Sequence, residues 1–227
     1  QVNGRGTNIM HVGAASTARS VKLAEHAARV GVDAICAIPP FFFSPSDEEL
    51  VEYYRVIADA ADLPLLVYNV PSCTGVEITP ARIKKIQEHV PQLVGLKHSG
   101  LSFEDTRIFT EMGLKVLMGQ GKLMLPALII GASGGVDGPQ CVAPELWVDI
   151  WDAYNLGDLG RAKDSQRKAA GFLDLTLRYA YHSSLKAVLS ERIGIDCGNA
   201  RPPLGQLTAK QRKIVVEEAA KLGLNRA

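Results

Sequence analysis

Apolar residues along this chain fall into short β-rich runs, and each run is followed by a longer stretch in which they recur at helical spacing. Thr7-Asn8-Ile9-Met10-His11-Val12 reads as a buried strand. A helix follows from Ser16 to Val30, with Val21, Leu23, Ala24, Ala27 and Ala28 on its apolar side and Gly31 as its stop. Ala34 to Ile38 is the next strand, ended by Pro39-Pro40. Ser46 with Glu49 three residues on is a capping-box pattern that opens a helix to Ala61. Leu65 to Tyr68 is a strand, and Thr79-Pro80 starts a helix reaching Val90. The remaining strands are Leu93 to Lys97, Val116 to Met118 and Gly134 to Val136, separated by helices over 102–112 and 122–130. From Glu145 onward only helices are predicted, over 145–155, 158–181, 183–193 and 208–222.

Strict strand–helix alternation through six units implies a parallel sheet with crossover helices. Strands that are continuously apolar fit burial on both faces. A doubly wound sheet and a β/α barrel satisfy the pattern equally. No internal repeat and no low-complexity segment complicates it.

Composition narrows the class of partner. Charged residues make up 22% and the formal net charge is +1. With Lys and Arg scattered, no nucleic-acid surface is expected. The longest apolar run, Leu123 to Ile130, contains Pro126 and falls far short of the roughly 20 residues of a membrane span. No signal peptide is visible after Gln1, and the chain lacks an initiator Met. Cys36, Cys73, Cys141 and Cys197 form no CxxC, so reduced thiols, no metal and a cytoplasmic location are expected.

Candidate chemistry gathers at strand ends. Lys97 closes a strand before a Ser-Gly turn, where a β/α barrel collects its active site and a lysine can act as a nucleophile. Tyr68 ends the preceding strand, within reach of Lys97 if the two strands are neighbours, and a phenol can relay a proton. Each also has a plain structural reading, as a rim lysine and an aromatic cap. Gly131 to Gly138 is dense in glycine, which suits either close approach of backbone to a ligand or tight turns. Gly119-Gln120-Gly121-Lys122 lacks P-loop spacing. The five histidines show no ligand spacing; His11 reads as a core residue, and His98 faces away from Lys97.

Tyr68-Asn69-Val70-Pro71, Thr74-Gly75-Val76, Gly95-Leu96-Lys97-x-Ser99-Gly100, Gly131-Ala132-x-Gly134-Gly135, Leu185 to Leu189 and Arg201-Pro202-Pro203-Leu204 together resemble the N-acetylneuraminate lyase and dihydrodipicolinate synthase superfamily of class I aldolases. That resemblance implies a TIM (β/α)8-type barrel, with residues 1–144 as its barrel units and 145–227 as helices packed on it. It implies that Lys97 forms an imine with pyruvate, that Tyr68 relays a proton to the C4 hydroxyl, and that Ser99 lies near the imine. No cofactor or metal is implied beyond that imine, and the implied assembly is a homotetramer. Gly119 and Val136 match pocket-lining backbone positions. Gly121 and Gly138 fall where sialic acid lyases carry an acid and a serine, and Lys122 replaces a second acid. They remain candidate substrate-binding positions with altered chemistry. His11-Val12-Gly13-Ala14 and Pro40-Phe41-Phe42 look most like sialic acid lyases. Cys73 stands where dihydrodipicolinate synthases carry an arginine.

The first strand resembles the family's third, so the barrel is expected to be incomplete, with about six βα units. The carboxylate-binding segment that the family carries earlier is not seen in this chain. The expected activity is cleavage or formation of a C–C bond to pyruvate, of the N-acetylneuraminate lyase type. Alternatives are a 2-keto-3-deoxy sugar acid aldolase or dehydratase, a dihydrodipicolinate synthase-like enzyme, and a catalytically impaired truncated paralogue.

Overall fold

The computed structural model describes residues 4–225. Six strands form one parallel sheet: β1 (Ile9–His11), β2 (Ala34–Ala37), β3 (Leu65–Asn69), β4 (Leu93–His98), β5 (Lys115–Met118) and β6 (Gly134–Gly135). Their order in space is their order in the chain. This is the open, incomplete TIM-type arrangement that the sequence implies, and a helical C-terminal part follows it. The crossovers carry α1 (Thr17–Arg29), α2 (Asp47–Ala61), α3 (Pro71–Thr74), α4 (Pro80–His89), α5 (Asp105–Glu111) and α6 (Met124–Ile129). The last part holds α7 (Pro144–Asn155), α8 (Leu159–Leu177), α9 (Tyr181–Ile193) and α10 (Ala209–Lys221).

Local chemistry sets the helix starts. At α2 the Ser46 hydroxyl accepts from the Glu49 amide at 3.2 Å, while the Glu49 carboxylate accepts from the Ser46 amide at 2.7 Å. Thr79 caps α4 by accepting from the Arg82 amide at 3.3 Å, with Pro80 at the first helical position. Thr208 and Gln211 form the same reciprocal box at α10.

Contacts divide the chain into two compact units. One runs to Gly119 and takes back Ile129–Gly135; it holds the whole sheet. The other comprises Gln120–Leu128 and the described chain from Val136 onward. In the first unit, alternation along each strand sorts side chains onto two faces. Ile35, Ala37, Leu65, Val67, Leu96, Val116 and Met118 occupy the helix-covered face and are buried. There the Tyr54 hydroxyl of α2 donates to the Ala37 carbonyl at 3.4 Å, and the His98 ring meets Phe109 of α5 edge to face. The opposite face carries Ala34, Cys36 and Leu66, with Tyr68 and Leu117 packed against them. In the second unit, Trp147, Ile150, Phe172, Val188 and Val215 centre a core built by α7 to α10.

The ladder between β3 and β4 skips once. Leu65 pairs with Leu93, but Leu66 pairs with Gly95, which leaves Val94 as an extra residue, 40% exposed. Beyond the skip, Tyr68 pairs with Lys97 and Asn69 with His98. Gly95 lets β4 approach β5, because a Cβ there would lie 2.2 Å from the Lys115 carbonyl oxygen.

Several expected boundaries are corrected. The first strand is not buried; it is a short strand at one end of the sheet, with Ile9 43% exposed. The helix expected from Ser102 begins at Asp105, because the Ser102 carbonyl accepts from His98 Nε2 at 2.9 Å and so holds a loop. The helix expected over 122–130 splits into a tight 3₁₀ turn, Gly121–Leu123, and α6. Sideways bonds to Gly121 tighten that turn. The sixth strand stops at Gly135, and the helix expected to reach 181 ends at Leu177.

Candidate active site

Tyr68 and Lys97 are register partners near the ends of adjacent strands, so their side chains rise from the same face of the sheet. Lys97 Nζ lies 4.1 Å from the centroid of the Tyr68 ring. This cation–π contact fixes the amine over the phenol, at a gain of about 0.5–2 kcal/mol for a cation on an aromatic face. The two residues singled out for chemistry are thus brought together. Lys97 is half-buried, among the residues on its face.

Ser99 follows the end of β4, and its amide donates to the Asn69 carbonyl at 2.8 Å. The Gly119 amide donates to the His98 carbonyl at 2.8 Å, which brings Gly119 against Ser99. A Cβ on Gly119 would sit 1.9 Å from the Ser99 hydroxyl oxygen, so that hydroxyl occupies space only a glycine leaves free.

Two further residues on this face were not among the candidates. His11 is the register partner of Cys36, and its ring stands edge to face with Tyr68 at 6.3 Å between centroids. It is therefore exposed beside the candidate site, not in the core as its apolar neighbours suggested. The Ile38 amide donates to His11 Nε2 at 3.3 Å. Although the residue keeps solvent contact, partial desolvation of the ring against its neighbours, and then the charge of Lys97, lower the imidazole's pKa from its usual value. Cys36 is 9% exposed, and burial pushes its thiol up to about 12, with the Lys97 charge pulling the other way. The signal that could have found both residues is the two-residue alternation counted from Tyr68 and Lys97 across paired strands.

Behind this face a buried network fixes the strand ends. The Asn69 amide nitrogen donates to the Ile78 carbonyl at 3.1 Å, and its oxygen accepts from the Ile78 amide at 3.0 Å. Asn69 Nδ2 also lies 3.3 Å from His98 Nδ1, while His98 Nε2 faces the Ser102 carbonyl. The carbonyl can only accept, so His98 carries its proton on Nε2 and Nδ1 accepts from Asn69. His98 thus faces away from Lys97, as alternation required. Burial lowers its pKa against the Ser102 bond and the Asp105 and Glu77 charges.

The glycine-rich candidates Gly121, Val136 and Gly138 lie in the second unit. The Asp137 carboxylate joins two of them, accepting from the Gly121 amide at 2.8 Å and from the Gly138 amide at 2.7 Å. The Gly121 carbonyl accepts from Trp147 Nε1 at 3.2 Å and Gln166 Nε2 at 3.0 Å. Val136 is exposed. Lys122 pairs with Asp174. Asp137, which organises this cluster, was missed because a single acid between glycines carries no pattern.

All four cysteines are free thiols. Among the described residues no three His, Cys, Asp or Glu side chains converge as a metal ion would need, and no helix is long and apolar enough to cross a membrane.

Comparison with known proteins adds a frame for this geometry. Residues 1–222 match the dihydrodipicolinate synthetase family. A DapA-like lyase of Halobacterium salinarum, itself uncharacterised, is 35% identical over 226 residues, which is 99% of this chain and 74% of that protein. The 4-hydroxy-tetrahydrodipicolinate synthase of Methanopyrus kandleri is 30% identical over 99% of this chain and 75% of its own length. Among solved structures, a catalytic-lysine mutant of the Ruminococcus gnavus sialic acid aldolase superposes with a TM-score of 0.92 at 27% identity, over 97% of this chain and 74% of that one.

Proposed function

We infer the reaction from one premise: this chain belongs to the dihydrodipicolinate synthetase family. Membership makes it a lyase of the class I pyruvate aldolase type. We propose that Lys97 is the imine-forming lysine and Tyr68 the proton relay. The carrying observation is the Lys97 amine held 4.1 Å from the centre of the Tyr68 ring on paired strands.

In the cleavage direction the amine adds to the C2 carbonyl of a 4-hydroxy-2-oxo acid, and water leaves as the iminium forms. Tyr68 takes the proton of the C4 hydroxyl as the C3–C4 bond breaks. The electron pair of that bond moves into the iminium and gives an enamine, while C4 departs as an aldehyde. The proton that Tyr68 received then passes to C3 of the enamine, and water releases pyruvate and the free lysine. Ser99, beside Gly119, offers a hydroxyl next to the imine.

For the substrate we propose the N-acetylneuraminate lyase reaction, giving N-acetylmannosamine and pyruvate. The likeness to a sialic acid aldolase supports it. So does Cys73, which stands exposed on α3 where the dihydrodipicolinate synthase resemblance requires an arginine. A second reading, a shorter 2-keto-3-deoxy sugar acid, is favoured by residue type alone: Gly121 and Lys122 stand where the sialic acid lyase resemblance places two adjacent acids. A homotetramer in the cytoplasm belongs to the same proposal.

Borohydride reduction in the presence of pyruvate tests the imine. A stable adduct should appear on Lys97, and none in Lys97→Arg. A chain that forms no adduct would be a fold retained without the chemistry. A panel of 2-oxo acids assayed for pyruvate release then separates the two substrate readings.

A further inference from the structure

Lys97 and His11 both bear on the Tyr68 ring, and the reaction treats the two contacts differently. The Lys97 amine lies 4.1 Å from the ring centroid, and it is the group assigned to the imine. Once that nitrogen is bonded to a substrate carbon, it can no longer serve as a free ammonium resting on the phenol. The His11 ring stands edge to face with Tyr68, at 89° and 6.3 Å between centroids, and no step assigned to Lys97 or Tyr68 alters it. Tyr68 also packs on Ala34, Cys36 and Leu66. Such apolar packing has no preferred direction, whereas an edge-to-face pair of rings does.

His11 is itself anchored. Its Nε2 accepts from the Ile38 amide at 3.3 Å. The Ile38 carbonyl accepts from the Tyr53 hydroxyl of α2 at 3.2 Å, and that hydroxyl lies 3.0 Å from Ser20 Oγ of α1. Ser20 Oγ accepts from the Ala14 amide at 2.9 Å. Both Tyr53 and Ser20 are buried. Gly13 completes the fit, because a Cβ there would lie 2.6 Å from the Ile38 nitrogen. The chain just past β1 and β2 is thus tied together and to two helices, and His11 carries that restraint to the Tyr68 ring.

We propose that His11 is a positioning residue: its ring holds the Tyr68 phenol in place while Lys97 is engaged in the imine. The inference rests on the roles assigned to Lys97 and Tyr68 and deepens them. It asks for no contact between His11 and substrate and no proton transfer by the imidazole.

The measurement is the condensation of pyruvate with glyceraldehyde by His11→Ala, His11→Phe and His11→Gln, with His11→Ala made also in a Tyr68→Phe background. Phe keeps a ring facing Tyr68 and gives up the Nε2 bond; Gln can accept from Ile38 and gives up the ring. His11→Ala should lower kcat about twofold to tenfold, the scale of one aromatic pair. The KM for pyruvate and borohydride trapping of pyruvate on Lys97 should stay unchanged. His11→Phe should recover most of the kcat, and His11→Gln should not. In the Tyr68→Phe background His11→Ala should cost nothing further, because the hydroxyl it positions is gone. If the loss persists in full without that hydroxyl, if Gln rescues and Phe does not, or if Ala leaves kcat unchanged, His11 is only a strand-end tie. A parent chain that traps no pyruvate would remove the imine assignment, and an undiminished kcat in Tyr68→Phe would remove the relay; either takes this inference with it.

Discussion

At the scale of single residues, position on the sheet decides which side chains react. Cys36 is buried with its pKa raised, whereas Cys73 and Cys141 are exposed. The thiolate is the reacting form. At pH 8 a chromogenic disulfide should therefore label Cys73 and Cys141 in the folded chain, and Cys36 only after denaturant is added; fast labelling of Cys36 would contradict its placement. Tyr68 allows a sharper test of chemistry. Tyr68→Phe keeps the ring under Lys97 but removes the proton relay, so kcat should fall by about 10²–10⁴. Pyruvate should still be trapped on Lys97, since imine formation does not need the phenol. Equal loss of trapping and turnover would mean that the hydroxyl serves imine formation itself and is not a relay for the later proton transfer. Lys97 and Tyr68 were legible in the sequence because each sits at a strand end, in a motif with fixed spacing. His11 and Asp137 were not. A lone histidine in an apolar run looks like core, and only strand pairing reveals which face it takes.

At the scale of elements, the β4 segment presents the candidate nucleophile on one side and a buried polar network on the other. Lys97 and His98 are neighbours in sequence and opposites in environment. His98 is 1% exposed, bonded to Asn69 and to the Ser102 carbonyl, and packed on Phe109. Its folded pKa lies below 6.5, so the folded state binds the proton less readily than the unfolded chain. Stability is then complete above pH 6.5, declines as the pH falls below it, and levels off once the pH is under the folded value. His11 acts with the same sign. Calorimetry from pH 7.5 to 5 should show the midpoint falling, with a shallower fall in His98→Gln; a flat profile would rule the linkage out. The helix starts at Ser46, Thr79 and Thr208 could be read from the sequence because capping is local. The loop at 99–104 could not, since the bond that holds it runs from His98 back to Ser102 and nothing in the helical pattern marks it.

At the scale of the whole molecule, the alternation of runs revealed a parallel sheet, and the family motifs turned that into an incomplete barrel. What periodicity missed was the condition of the end strands. β1 and β6 each pair on one side only within the described sheet, and β1 exposes Ile9. A strand edge with an apolar side chain is a template for pairing with another chain. Ile9→Lys should reduce concentration-dependent light scattering without altering pyruvate trapping, and an unchanged scattering curve would place self-association elsewhere. The extra residue at Val94 has a different kind of consequence. Pairing resumes its regular step at Gly95, so the face that Lys97 presents is fixed by what lies after the skip. A length change upstream can be absorbed there as slack, while one between Gly95 and Lys97 would exchange the lysine and the histidine. The irregular step thus works as a phase buffer. A residue added or removed in the approach to β4 would leave the Lys97 amine on the same side.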